Sequence, residues 1–375
     1  MKRILIIAGE VSGDLHAAAL VTSLREKNPD LKFIGVGGDR MDKAGVEIVY
    51  HISQFSILGF VEILKHLPFI RKVVRHLTGL LDTEIDAVLL VDYPGFNLRI
   101  ARIAKGKGLP VIYYICPQMW AWGEGRIDKF KKFVDLPIVI FKFEEEFFRK
   151  HGIKAYFVGH PLLDQITDRI GESDFKKEYG IKNSVYPIGL FPGSRENEVR
   201  HLLPIMLKSV RILDREFKLK PLIAKAPHVD RKAYESLLME HEKSSLIHSD
   251  VHNLMKFSYV ALVASGTATL ELGYFQTPSV VLYKVSPISY VIGKLVVKIK
   301  NIALTNIVLH KTVFPEFIQH QANPRNIVRE LSKYFVDKDY YQSVKDTLKQ
   351  IKEILGESGS SERAANLVLD FLNEK

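Results

Sequence analysis

Residues 188–201 read IGLFPGSRENEVRH. Ile188–Phe191 is a short apolar run of the kind that forms a buried strand. Pro192-Gly193-Ser194 breaks it, and a polar, helix-competent segment follows. A strand, a tight small-residue turn and a helix N-terminus together make a place for an anion. Free backbone N–H groups and the positive end of the helix dipole point into the same space. Arg195 adds an always-charged fork suited to bidentate phosphate contact. An ordinary turn with a solvated arginine is the competing view, and a second device of the same kind weighs against it. Tyr259–Ala264 (YVALVA) is another apolar run, followed by SGTATLELG over 265–273. Small residues there let a backbone approach a ligand. Glu271 falls about one helical turn in, where a carboxylate can hold two vicinal ribose hydroxyls. Ser265 and Thr267 with a first-turn acid also make a helix cap, and both roles can hold at once.

The first half of the chain uses the same grammar. Ile4–Ala8 is continuously apolar, as a parallel strand buried on both faces should be. Gly9–Asp14 (GEVSGD) is expected as a loop and Leu15–Leu24 as a helix. Leu31–Val36, Asp86–Asp92, Pro110–Ile115, Leu136–Phe141 and Ala155–Val158 are further strands, with Tyr93–Asn97 expected as loop. These are Rossmann-like units, whose ligand crevice lies at the carboxyl ends of the strands. A carboxylate there, such as Asp92, is either a general base or a helix cap. Glycines four apart in Gly9–Gly13, and Arg40 in place of the last glycine after Gly35-Val36-Gly37-Gly38, fail the dinucleotide fingerprint. A nicotinamide or flavin is therefore disfavoured. Both tryptophans, Trp120 and Trp122, fall in one Pro/Gly-flanked loop beyond a strand end, which suits a ligand wall better than a core plug.

In the second half, Pro221–Ala226 and Pro278–Tyr283 complete the strand set, and from about Pro324 the pattern is helical. Composition turns polar after Leu163 and stays so through Asn183. That puts the domain boundary near 165–185, with an N-terminal domain over 1–165, a second over 185–340 and C-terminal helices over 341–375. The 375-residue length itself favours two α/β domains.

Charge and cysteine usage narrow the partners. The chain carries 53 Lys+Arg against 43 Asp+Glu, a net +10, which suits a polyanion: nucleic acid, an anionic membrane or a phosphorylated substrate. One cysteine, Cys116, excludes an internal disulfide framework and a thiolate metal cage. No secretory signal is legible at the start, and no apolar run reaches the ~18–20 residues that span a bilayer. Two stretches could lie on a membrane surface. Gly59–Leu81 sets an apolar stripe (Ile63, Leu67, Ile70, Val74, Leu77) beside Lys65, Arg71, Lys72 and Arg75. Lys284–Lys300 has four lysines and no acid among apolar residues. For the former, a core-facing helix with a solvated basic side is the alternative.

Other motifs lead nowhere. His248 and His252 have the i, i+4 spacing of two metal ligands but no evident third, and read as surface histidines. His160 reads as a loop hydrogen-bonder. Asp337-Lys338-Asp339 precedes a helix, where Asp is a good cap. There is no phosphate-binding G-x-x-x-x-G-K-[ST] and no zinc-finger or RNA-reading motif, so nucleic acid is not an expected partner.

Seven collinear segments resemble one family, the lipid-A-disaccharide synthases, glycosyltransferase family 19. They are GEVSGD (9–14), GFVEIL (59–64), DYPGFN (92–97), WAW (120–122), FVGHP (157–161), PGSR (192–195) and ASGTATLE (264–271). The resemblance implies a B-type glycosyltransferase fold, two Rossmann-like parallel-sheet domains facing a central crevice, with the last helix returning to the N-terminal domain. It implies an inverting, metal-independent transfer that needs no cofactor. The donor would be UDP-2,3-diacylglucosamine and the acceptor 2,3-diacylglucosamine 1-phosphate (lipid X). Products would be UDP and the β-1,6-linked disaccharide 1-phosphate.

Carried onto this chain, Asp92 matches the family's proposed general base, with Glu10 and Asp14 beside it. Ser194, Arg195, Ser265, Gly266, Thr267, Thr269, Glu271 and Asn306 form the expected nucleotide and diphosphate set. Ser12, His16, Trp120, Trp122 and Arg126 are expected at the acceptor and its loop. Relatives usually carry a second acid in the D-x-P-D-F-N loop, where this chain has Gly95. Further expectations are the anionic cytoplasmic face of a bacterial inner membrane and a homodimer. Two other functions stay open on sequence: a UDP-N-acetylglucosamine 2-epimerase, which shares the architecture, and a non-catalytic membrane-binding scaffold.

Overall fold

The computed structural model describes residues 2–55, 60–82, 85–122, 124–166, 170–227, 229–247, 250–285 and 301–374. It resolves into two compact units, Met1–Gln165 with Leu355–Lys375, and Ile166–Ile354.

The first unit is built on a seven-stranded parallel sheet. Its strands are β1 (Arg3–Ala8), β2 (Lys32–Gly37), β3 (Val46–His51), β4 (Ala87–Val91), β5 (Val111–Tyr114), β6 (Leu136–Val139) and β7 (Tyr156–Phe157), in the order β3-β2-β1-β4-β5-β6-β7. All five residues of β4 and the last five of β1 are buried, as strands covered on both faces require. The second unit holds β8 (Tyr186–Phe191), β9 (Leu219–Ala224), β10 (Leu246–Ile247), β11 (Val260–Ala264), β12 (Ser279–Tyr283) and β13 (Glu316–Ile318), ordered β10-β9-β8-β11-β12-β13. Both sheets therefore run outward from a first strand in opposite directions. Strand order reverses between β1 and β4 in one, and between β8 and β11 in the other. Two Rossmann-like parallel-sheet units are what the sequence led us to expect.

Several elements differ from the sequence expectation. Strands β3, β10 and β13 lie at sheet edges; partial exposure of β3 and β13 blunts their apolar signal, and β10 is only two residues long. Helices begin earlier than expected, at Val11 and Pro94, so GEVSGD and DYPGFN each contribute only two loop residues before the helix. Proline at the first helical position has no N–H to waste and starts the second of these. The tryptophan loop contains a short helix, Met119–Trp122. Residues 166–184 belong to the second unit, since Phe175 of the helix Glu172–Glu178 lies in its core. The return to the first unit begins at Leu355 rather than 341, because Val344 and Leu348 also pack in the second core.

The last helix, Ser360–Asn373, packs its Ala364, Ala365, Val368 and Leu372 face on the helix Val11–Lys27. The Asp164 carboxylate grips its N-terminus, accepting from the amides of Gly359 (2.6 Å), Ser360 and Ser361 and from both serine hydroxyls. Lys27 pairs with Glu362 at 3.0 Å, and Lys2 Nζ donates to the Leu372 carbonyl.

The basic amphipathic stretch is a helix, Phe60–Leu80, with Pro68 inside it. Val73, Val74 and Leu77 join the first core, while Arg71, Lys72 and Arg75 are exposed. Side chains of 60–67 lie outside the described residues, as do 286–300 of the second basic stretch and His248. No described helix is long and apolar enough to cross a membrane.

Candidate functional site

In the second unit, Phe191 of β8 pairs with Val263 of β11, so the PGSR and ASGT turns leave the sheet side by side at its reversal point. This is where an open parallel sheet leaves a crevice for a ligand. A cavity of about 390 Å³ lies there, walled by Gly193, Ser194, Arg195, Ser265, Gly266, Thr267 and Glu271. Gly193 has φ +116, and a Cβ on it would come within 2.2 Å of the Glu198 carboxylate, so the turn demands glycine. The amides of this turn are not free, contrary to the sequence expectation. Glu198 accepts from Ser194 N–H (3.0 Å), Arg195 N–H (3.3 Å) and Arg195 Nη1 (3.3 Å). A carboxylate thus sits on the donors an incoming anion would use. Arg195 is otherwise exposed, able to swing toward a ligand.

Glu271 stands on the wall of the cavity, and burial pushes its carboxyl up to about 7. Ser265 Oγ donates to the Ile302 carbonyl at 3.0 Å, fixing the turn. Two expected nucleotide residues are corrected to structural roles. Asn306 is fully buried; its Oδ1 accepts from the Val313 and Phe314 amides, and its Nδ2 donates to the Phe314 carbonyl and Glu316. Thr269, also buried, donates to the Gly266 carbonyl and accepts from the Leu304 amide. Asn306 has all its side-chain donors and acceptors engaged and Thr269 its one donor, so neither offers a ligand a free N–H or O–H. Lys225, which sequence reasoning missed, lines the cavity just past the end of β9. Its position beyond a strand's carboxyl end was the available signal.

In the first unit, Ala8 of β1 pairs with Val91 of β4, bringing Gly9-Glu10 and Asp92-Tyr93 together at the other reversal point. The Tyr93 ring covers Gly9 so closely that a Cβ there would lie 2.2 Å from it. Asp92 and Tyr93 both have φ +48, an uncommon conformation for residues with side chains. Asn97 Nδ2 (2.7 Å) and the Tyr113 hydroxyl (2.6 Å) both donate to the Asp92 carbonyl and hold it there. Strain of this kind persists only when surroundings over-determine it, and it clusters at functional sites. Burial pushes the Asp92 carboxyl up to about 6; the neighbouring Glu10 charge adds to this, and the Tyr93 amide opposes it.

Glu10 and Ser12 are exposed beside this turn. Asp14 is not. Its buried carboxylate accepts from the amides of Gly38 (2.7 Å), Arg40 (3.2 Å) and Met41 (3.1 Å), which makes it the cap of the helix Asp39–Lys43 rather than a reacting group. His16 shares a hydrogen bond with Gln165. Burial lowers its pKa to about 4, with Asp164 opposing and Arg40 assisting. His160 is a buried hydrogen-bonder, accepting from the Leu162 amide. Trp120 Nε1 donates to Glu144 at 2.9 Å, Arg126 is exposed, and the Trp122 side chain lies outside the described residues. Among the described residues no three His, Cys, Asp or Glu side chains gather as a metal-ligand set.

Comparison with known proteins follows the same lines. A family profile described as lipid-A-disaccharide synthetase matches residues 4–370. The chain is 37% identical to the lipid-A-disaccharide synthase of Geobacter metallireducens, covering all of this chain and 98% of that one. Among solved structures, the calicheamicin glycosyltransferase CalG4 superposes with a TM-score of 0.64 at 15% identity, covering 100% and 99% of the two chains. The S. aureus MnaA-UDP co-structure gives 0.62 at 18% identity, covering 100% and 97%. At such identities these two report the fold alone.

Proposed function

The chain belongs to the lipid-A-disaccharide synthetase family, and on that premise we propose how its two reversal-point sites divide one glycosyl transfer. The enzyme is a hexosyltransferase that forms the lipid A disaccharide from a UDP-sugar donor. The donor is UDP-2,3-diacylglucosamine and the acceptor lipid X. Uridine and diphosphate occupy the cavity between the β8 and β11 turns, with Glu271 accepting from the ribose hydroxyls. Asp92 takes the proton from the acceptor's 6-hydroxyl as that oxygen attacks the donor's anomeric carbon. The bond from that carbon to UDP breaks on the opposite face, so configuration inverts. Charge on the departing diphosphate is met by the turn amides and Arg195, once Glu198 has moved off them. Glu10 faces the same turn and keeps the Asp92 proton affinity high.

The single observation that carries this reading is Asp92. It is a strained, clamped acid at a reversal point, with its carboxyl at about 6, where a general base for neutral pH should be poised. The epimerase alternative is not favoured, since proteins of that kind resemble this chain only in fold. The enzyme works on lipid substrates at the cytoplasmic face of the inner membrane, with acyl chains left in the bilayer. Removing them would cost about 0.8 kcal/mol per CH₂.

The test is UDP release on mixing enzyme, UDP-diacylglucosamine and lipid X. Asp92→Asn should cut turnover by roughly 10²–10⁴ while calorimetric UDP affinity holds. A chelator should leave wild-type turnover unchanged. A loss of only a few-fold in Asp92→Asn would move the base role to Glu10, and no UDP release by the wild type would end the reading.

A further inference from the structure

A second cavity, about 290 Å³, opens beside Asp92 between the carboxyl ends of β4, β5 and β6. Its walls include Asp92, Ile115, Cys116, Gln118 and Glu144. Ile115, at the end of β5, has φ +57 and so shares the left-handed backbone of Asp92 and Tyr93 across the opening. Glu144 is 1% exposed, yet no part of the chemistry above uses it. Its Oε2 accepts from the amides of Ile140 (3.2 Å) and Phe141 (3.0 Å), and its Oε1, among the described residues, from Trp120 Nε1. A carboxylate oxygen can accept more than one hydrogen bond, so Oε1 keeps capacity on the cavity side. Trp120 is itself fixed, its ring edge-on to Phe143 with centroids 4.9 Å apart.

We propose that this cavity is the acceptor's sugar pocket, with Glu144 and Gln118 hydrogen-bonding the hydroxyl and amide groups of one glucosamine ring. The proposal rests on the transferase reading and deepens it. Size argues for a single ring, since ligand pockets generally start near 300 Å³ and acyl chains would need far more. Charge argues for an orientation. Two carboxyl groups share the walls, so the 1-phosphate end of the acceptor is repelled and the uncharged C6 end enters, toward Asp92. Glu144 also holds the Trp120 indole N–H, which fixes that ring beside the pocket-lining Gln118 segment. Burial pushes the Glu144 carboxyl up to about 7, with Trp120 and the Phe141 and Ile140 amides opposing.

Two variants test this, Glu144→Gln and Gln118→Phe, the second placing a ring into the cavity from its half-buried wall. Each should raise KM for lipid X about tenfold, the effect of losing a charge-assisted hydrogen bond or blocking the ring. UDP affinity by calorimetry should stay within twofold, and kcat should fall less than KM rises. A merely structural defect would instead lower kcat and melting temperature together. If the wild type turns over lipid X while both variants keep its KM, the pocket is wrong and the transferase reading stands. If the wild type does not turn over lipid X, the reading itself fails. Should Glu144→Gln not fold, Gln118→Phe alone decides.

Discussion

Among the described residues no charged group offsets the burial that raises the Glu271 carboxyl to about 7, and on the proposed reading ribose hydroxyls are its donors. Donors from a ribose favour the ionised form, so binding and deprotonation assist each other. UDP affinity should therefore strengthen as pH rises through about 7. Glu271→Gln should weaken UDP roughly tenfold and flatten that dependence, a calorimetric titration at several pH values being the check. A wild-type affinity indifferent to pH would remove the ribose role. At this scale the sequence exposes some residues and hides others. Asp92 and Glu271 stand out because acids just past apolar strands face a crevice by geometry alone. Asp14 and Asn306 mislead for the converse reason. Their side chains look free in sequence, but their partners, the amides of 38, 40 and 41 and of 313 and 314, are fixed only by the fold. Glu144 sits in a charged helix and gives no sign of being buried.

Among elements, apolar runs with both faces covered are legible, while of the edge strands β7 is and β3, β10 and β13 are not. β4 (AVLLV) announces itself, while β3 (VEIVYH) mixes charge into a half-exposed edge. The last helix is legible as a helix, but its anchor is not, since Asp164 lies about two hundred positions earlier in the chain. Burial works to raise the Asp164 carboxyl, yet hydrogen bonds from Ser360, Ser361 and Gly359 outweigh it and hold it below its ordinary value. Asp164→Ala leaves the first turn of that helix without its cap and should cost about 1–3 kcal/mol at neutral pH. Because the native pKa is depressed, this contribution is full above pH 3.8 and fades as pH falls further. Thermal melts at pH 7 and pH 3 should show a larger penalty in the first than in the second; an equal penalty at both would deny the capping role.

Across the whole chain, a net charge of +10 attracts anionic surfaces, the inner-membrane face among them on the proposed reading. The helix Phe60–Leu80 offers Arg71, Lys72 and Arg75 to solvent while its other side is committed to the core. Each such cation near an anionic leaflet is worth about 1 kcal/mol. Reversing all three charges should therefore weaken sedimentation with anionic vesicles at least tenfold and spare neutral ones. Unchanged sedimentation would leave the chemistry intact and remove this docking face. The packing of Ser360–Asn373 against Val11–Lys27 has its own consequence, one of timing. On the ribosome the second unit is a continuous stretch and can close as soon as residue 354 emerges. The first unit must wait with one flank of its opening helix bare until the final twenty or so residues are translated. A nascent chain stalled before them should be a better chaperone client than one stalled after, although the half synthesised first is the half left unfinished.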